Sequence, residues 1–181
     1  MRLHLKLLAA SLVFVSHPAF AAWSKFVDPL GNFSFEAQAK VTPTKDQTVS
    51  PLGKVIPSVN YVIGEGPAGM GVMGLMGVID ATNSQISKAS SNPQFLDFAS
   101  KLLQKAIGAT VESVSMSTEI LDGQEGRRLE FILPGNIDCT YRIFFVRGHL
   151  LIAFSGYGPG ANVALMGDAA RFHKSFHLSV R

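Results

Sequence analysis

The segment Ile143-Phe144-Phe145-Val146-Arg147-Gly148-His149-Leu150-Leu151-Ile152-Ala153-Phe154 decides the fold. Two strand-like runs, Asp138 to Val146 and His149 to Phe154, flank the turn pair Arg147-Gly148. Side chains alternate between the faces of a strand. Ile143 and Phe145 therefore share one face and Phe144 and Val146 the other, while Leu150, Ile152 and Phe154 alternate with Leu151 and Ala153. Neither run has a polar face, so a sheet built on them needs cover on both sides. The strands nevertheless follow one another as hairpins, which makes the sheet largely antiparallel. The combination predicts an α+β fold, a largely antiparallel sheet sandwiched between helices.

Working outward, Val111 to Leu121 and Arg127 to Leu133 flank Asp122-Gly123, a strong hairpin signal. Pro93 to Ile107 is the clearest helix, with Asn92 as N-cap, Asp97 early, Lys101 and Lys105 late, and Gly108 at the stop. Phe95, Phe98, Ala99, Leu102 and Ala106 recur at helical spacing and form its expected core stripe. On that stripe, Phe98→Ala or Leu102→Ala should each cost about 2–5 kcal/mol. Val55 to Ile63 and Met70 to Ile79 read as strands around the turn residues 64–69, and Asn32 to Glu36 alternates as a half-buried strand. Thr42 to Gly53 is polar, carries Pro43 and Pro51, and reads as loop, as does the Ser- and Asn-rich stretch 82–92. After Gly158-Pro159-Gly160, Asn162 caps a second helix with Val163, Met166 and Ala170 on one face, and Ser175 to Val180 is strand-like.

The opening Trp23…Phe26…Pro29-Leu30-Gly31-Asn32-Phe33-Ser34-Phe35 resembles the start of small exported bacterial proteins of the PsbP-like fold. The order of elements is similar as well: a hairpin, a helix, and a four-strand meander containing Gly126-Arg127-Arg128 and Tyr141 to Gly148. A last helix then runs into Phe172-His173-Lys174-Ser175-Phe176-His177-Leu178. The resemblance covers nearly the whole chain after its first 21 residues and implies a PsbP-like α/β/α sandwich. The photosynthetic members of that fold are accessory subunits, not enzymes. The shared positions are core and turn residues, so the resemblance carries over no functional residue.

Residues 1–21 read as a secretory signal peptide. Arg2 and Lys6 precede the nine-residue apolar run Leu7 to Val15, Pro18 breaks it, and Ala19 and Ala21 supply small residues for cleavage before Ala22. The run is too short to span a bilayer core, which needs about 20 residues. The expected mature protein is one domain, residues 22–181, exported to the periplasm or beyond, with no transmembrane segment. Losing Arg2 and Lys6 lowers the formal net charge from +3 to +1, which removes the case for nucleic-acid binding. Cys139 is the single cysteine, so no intrachain disulfide can form. It lies in the strand-like run beside Tyr141 and reads as a buried thiol, the alternatives being an intermolecular disulfide or a reactive thiol.

Each motif requires a particular backbone. Gly69-Met70-Gly71-Val72-Met73-Gly74 matches G-x-G-x-x-G, but a turn precedes it and a strand follows, the reverse of a dinucleotide site. No nucleotide or other cofactor is expected. Met70, Met73 and Met76 offer soft sulfur ligands for Cu(I), provided the segment is not a regular strand. His173 and His177 have helical metal-pair spacing but straddle the expected end of the last helix. G-x-S-x-G is absent. His149 and Ser155 share a strand parity but lie about 20 Å apart when extended, so an exported hydrolase is the least supported reading. Arg127, Arg128 and Arg142 concentrate in the meander as an anion patch or as cross-strand ion pairs. The reading with most support is an exported non-enzymatic accessory or binding module for a protein partner or small ligand. A Cu(I) binder is the alternative.

Overall fold

A computed structural model describes residues 22–38, 41–49, 55–63, 70–76, 92–107, 114–159, 161 and 163–179. The strands are β1 (Ser24–Val27), β2 (Phe33–Ala37), β3 (Thr42–Val49), β4 (Val55–Ile63) and β5 (Met70–Met76), followed by helix α1 (Asn92–Ile107). Then come β6 (Val114–Leu121), β7 (Gln124–Leu133), β8 (Ile137–Val146) and β9 (His149–Tyr157), helix α2 (Val163–Ser175) and β10 (His177–Leu178). Residues 1–21, expected to be a signal peptide, and residues 77–91 lie outside the described residues.

Seven strands form one sheet in the order β3-β4-β5-β9-β8-β7-β6, and every neighbouring pair is antiparallel. A second sheet has the order β1-β2-β10. Asp122 and Gly123 (φ 49° and 79°) and Arg147 and Gly148 (φ 49° and 79°) have the two positive φ values of tight hairpin turns, as their sequences foretold. The two-faced character of β8 and β9 is real. Phe144, Val146, Leu151 and Ala153 join a core with Phe33, Phe35, Ala169, Phe172 and Phe176 of β2, α2 and the residue after it. Ile143, Leu150 and Ile152 join a second core with Phe95, Leu96 and Ala99 of α1 and Leu129 and Phe131 of β7. One-residue alternation thus sends the same hairpin into two cores.

Four expectations need correcting. The segment from Thr42 is not a loop but the edge strand β3, paired to β4 along its whole length. Its polarity and its Pro43 suit an edge, where one row of backbone groups faces water and a missing N–H costs no ladder bond. The core stripe of α1 is rotated: Phe95, Leu96, Ala99 and Ser100 are buried, whereas Phe98 is only half-buried. Asp97 is not a first-turn dipole partner; it accepts from Arg127 Nε at 2.6 Å, drawing α1 onto β7. On α2, Ala169 and Phe172 are buried while Met166 and Ala170 are exposed.

The small sheet is tied down by polar contacts at its turns. The buried Asp28 carboxylate accepts from Asn32 N at 3.1 Å and from the Tyr61 hydroxyl of β4 at 2.8 Å. Burial, and then Asp28, raise the Tyr61 hydroxyl pKa, so this bond keeps its proton. Glu36 N donates to Ser175 Oγ at 2.9 Å, and Leu178 N donates to Asp122 Oδ2 at 2.8 Å.

Chemical denaturation should show Leu96→Ala, on the rotated stripe, losing about 2–5 kcal/mol. Phe98→Ala should lose clearly less, and equal losses would restore the original stripe. A Cβ on Gly126 would clash with the Phe144 ring and sit 2.7 Å from the Ile143 carbonyl oxygen. Gly126→Ala should therefore destabilise by about 1–3 kcal/mol in the same assay.

Candidate functional site

The register of the meander assembles a polar site on the face that meets α2. Arg128 of β7 lies directly opposite Arg142 of β8, and Thr140 of β8 opposite Ser155 of β9. Like charges opposite one another are unfavourable unless neutralised. Here each arginine has its own carboxylate. Glu119 of β6 accepts from Arg142 Nε at 3.0 Å on each oxygen and from Nη2 at 2.5 Å, with both side chains largely buried. Glu130 takes Arg128 Nε and Nη2 at 2.9 and 2.6 Å, an exposed pair. Arg142 Nη1 also donates to the His173 carbonyl at 2.6 Å, satisfying a last-turn carbonyl of α2.

His173 is placed by that same turn. Its Nε2 lies 2.8 Å from Ser155 Oγ, while its Nδ1 is buried without a hydrogen-bond partner among the described residues. Burial, then the charges of Arg142 and Arg128, lower its pKa to about 3, so the ring is neutral at physiological pH. This pair has the distance of a serine–histidine dyad but not the chemistry. A general base works best with a pKa near the operating pH, and a dyad histidine is oriented by an acid on its second nitrogen. The basicity of His173 is low, no acid meets its Nδ1 among the described residues, and Ser155 is only 2% exposed. The hydroxyl and ring serve instead as a neutral bond between β9 and α2.

Around these groups is a cavity of about 400 Å³, lined by Glu119, Arg128, Arg142, Ser155, His173 and Lys174 among others. A second cavity, of about 690 Å³, lies between α2 and the small sheet, with Lys25, Glu36, Arg171, Lys174 and His177 on its walls. Lys174 lines both. In the second cavity Arg171 is held by Glu36 at 2.8 Å and lies over the Trp23 ring at 4.4 Å.

Of the residues singled out from sequence, Arg128 and Arg142 come together and Arg127 does not. Arg127 is one residue out of phase and turns to the other face. It is buried there against Asp97, Glu125 and the Pro93 carbonyl. His177 leaves the helix for β10, where it is exposed and 3.3 Å from Asp122. Met70, Met73 and Met76 belong to β5, opposite Ser155, Ile152 and His149 of β9, and their side chains lie outside the described residues. Cys139 is buried, and burial, followed by Asp138, raises its thiol pKa, which suppresses the reactive thiolate. Among the described residues no three His, Cys, Asp or Glu side chains group as metal ligands would. The Ser155–His173 contact and the Glu119 partnership were missed. Both join residues far apart in sequence, and only the parity of Ser155 hinted at the first.

Among the solved structures similar to this chain is the solution structure of cyanobacterial PsbP (CyanoP) from Synechocystis sp. PCC 6803. The match covers 93% of this chain and 99% of that one, at 16% identity and a TM-score of 0.54. The fold is PsbP-like. No family model and no curated protein matches the chain. The likeness is one of PsbP-like architecture, and it leaves the polar residues around Arg142 as features to be explained on their own chemistry. No described helix is long and apolar enough to cross a membrane.

The buried neutral histidine makes stability pH-dependent in a definite direction. Above pH 6.5 neither the folded nor the unfolded chain protonates this ring. Between pH 6.5 and about 3 the unfolded chain takes up a proton that the folded chain excludes, so stability falls with pH, approaching about 1.4 kcal/mol per unit. Urea titrations from pH 7 to 4 should show this slope in the parent and a flatter profile in His173→Gln. Parallel profiles would mean that His173 titrates normally.

Proposed function

We propose that this chain is an exported, non-enzymatic binding module whose cavity beside α2 takes a small anionic ligand, a carboxylate or phosphate group. Residues 1–21 act as its signal peptide and residues 22–181 as its one mature domain. The protein then works in the periplasm or outside the cell after cleavage between Ala21 and Ala22. The seven-stranded sheet is sandwiched between the helices, with α1 on one face and α2 and the small sheet on the other. The two cores that divide the β8–β9 side chains between them support this arrangement.

One observation carries the ligand reading. The cavity wall holds three cations, Arg128, Arg142 and Lys174, and its one acid, Glu119, is consumed by Arg142. Arg142 is thereby fixed as a buttress, while Arg128 and Lys174 remain available. The exposed Arg128–Glu130 pair is of a kind worth at most about 1 kcal/mol, so an incoming anion can replace Glu130 at little cost. Lys174 has no carboxylate within 4 Å among the described residues. A guanidinium fork beside a flexible ammonium suits a planar carboxylate or a phosphate. The low basicity of His173 supports binding over hydrolysis.

Calorimetric titration with inorganic phosphate and with citrate tests this directly. Saturable binding that weakens as salt is raised is expected, and Arg128→Ala combined with Lys174→Ala should weaken it about tenfold or more. Absence of saturable binding to either anion, or equal binding by the double variant, would reject the proposal.

A further inference from the structure

The two edges of the seven-stranded sheet are built differently. At one edge, β3 carries Pro43, Lys45 and Asp46 in exposed positions, three features that discourage another strand from adding. At the other edge, β6 reads Val114-Ser115-Met116-Ser117-Thr118-Glu119-Ile120-Leu121, with no proline. Its one charge, Glu119, is drawn back over the sheet onto Arg142. Val114, Met116 and Ile120 are large apolar residues exposed by 40%, 44% and 65%. An eight-residue strand that exposes three large apolar side chains, turns its one charge inward and has no partner on its outer side among the described residues is the arrangement natural edges avoid unless it is used.

The register says what fits there. The turn Asp122-Gly123 is a two-residue hairpin turn, so the flanking pair Leu121 and Gln124 exchanges both backbone hydrogen bonds. Counting back in steps of two, the backbone groups of Val114, Met116, Thr118 and Ile120 face outward from the sheet. These are the residues whose side chains share one face with Leu129 and Phe131 of β7. An antiparallel partner related by a two-fold axis at Ser117 meets every requirement of this strand at once. Val114 then stands opposite Ile120 of the other copy, Met116 opposite Thr118, Ser115 opposite Glu119, and Ser117 opposite itself. Both apolar ends find apolar partners, and no charge meets a like charge. All the outward backbone groups fall in register.

We infer that β6 is a homodimerisation edge, along which two copies of this chain join their sheets into one continuous antiparallel sheet through a two-fold axis at Ser117. This inference is independent of the anion site. A seven-residue ladder buries less area than a standard permanent interface, so the association is concentration-dependent rather than obligate.

Sedimentation velocity on protein purified from cells expressing the full chain, from about 1 μM to about 1 mM, should show a monomer–dimer equilibrium. Thr118→Pro deletes an outward N–H on each copy and should raise the dimer dissociation constant about tenfold or more. Ser117→Lys and Ser117→Asp each place like charges on the axis and should weaken the dimer, whereas an equimolar mixture of the two should recover it as a heterodimer. That recovery excludes misfolding as the cause of the loss and fixes the register. A parent protein that stays monomeric over the whole range would overturn the inference. So would Ser117→Lys dimerising like the parent, or a mixture of the charge variants no more dimeric than either alone.

Discussion

The hairpin β8–β9 has no face that can be left to water, and most of the architecture answers that constraint. Phe144 and Leu151 are buried in one core while their neighbours Ile143 and Ile152 are buried in the other. An isolated amphipathic hairpin would need one covering layer. This one needs two, and the chain supplies them from different parts of its sequence. Helix α1 precedes the meander and closes one core. The β1–β2 hairpin, α2 and β10 come from the two termini of the described chain and close the other. The aromatic residues Phe33, Phe35, Phe172 and Phe176 do most of that second closure, with ring centroids 5.2 to 6.4 Å apart. Aromatic rings at these separations favour tilted and edge-on contacts, which bind three elements that share no ladder hydrogen bonds with the large sheet.

Arg142 is the polar counterpart of that closure. It sits among aromatic rings, 5.8 Å from the centroids of both Phe144 and Phe176. A guanidinium so placed loses much of its hydration and is tolerated only when its donors are satisfied. Glu119 and the His173 carbonyl satisfy them, and in doing so they connect β6, β8 and the last turn of α2. The same geometry determines the state of His173. With the ring largely buried and Arg142 and Arg128 close by, the neutral form is favoured. An arrangement that looks catalytic at the level of distances is therefore a consequence of how one charge is buried.

Legibility in the sequence followed the range of the interactions. Hairpins set by two-residue turns were readable, because Asp122-Gly123 and Arg147-Gly148 carry their conformations locally. The need for cover on both faces was readable from alternation alone. The β3 strand was not, because edge strands are selected for polarity and Pro43 signals a loop equally well. The phase of α1 failed for a related reason: Phe95, Leu96, Phe98 and Ala99 are apolar in near succession, and tertiary packing chose Leu96 over Phe98. The arginine cluster was half readable. Its composition was visible, but strand parity separates Arg127 from Arg128, and the α2 residues that complete the site come from about thirty positions further on.

The likeness to cyanobacterial PsbP sharpens what can be asked of the remaining residues. At 16% identity over 93% of the chain, the common property is the fold, which many sequences satisfy. Core and turn positions are therefore accounted for by the fold itself. Residues whose chemistry the fold does not require are a shorter set. Arg128 and Lys174 at a cavity rim cost little to keep in water and contribute little to stability, so packing does not explain why cations stand there rather than neutral side chains. The bare rim of β6 is a different kind of departure. It forgoes the exposed charge and proline that shield β3, because its one carboxylate, Glu119, is held by Arg142. Spending that carboxylate on Arg142 satisfies the buried guanidinium and leaves the sheet edge open, so the closure of the second core and the character of the β6 edge are two results of one ion pair.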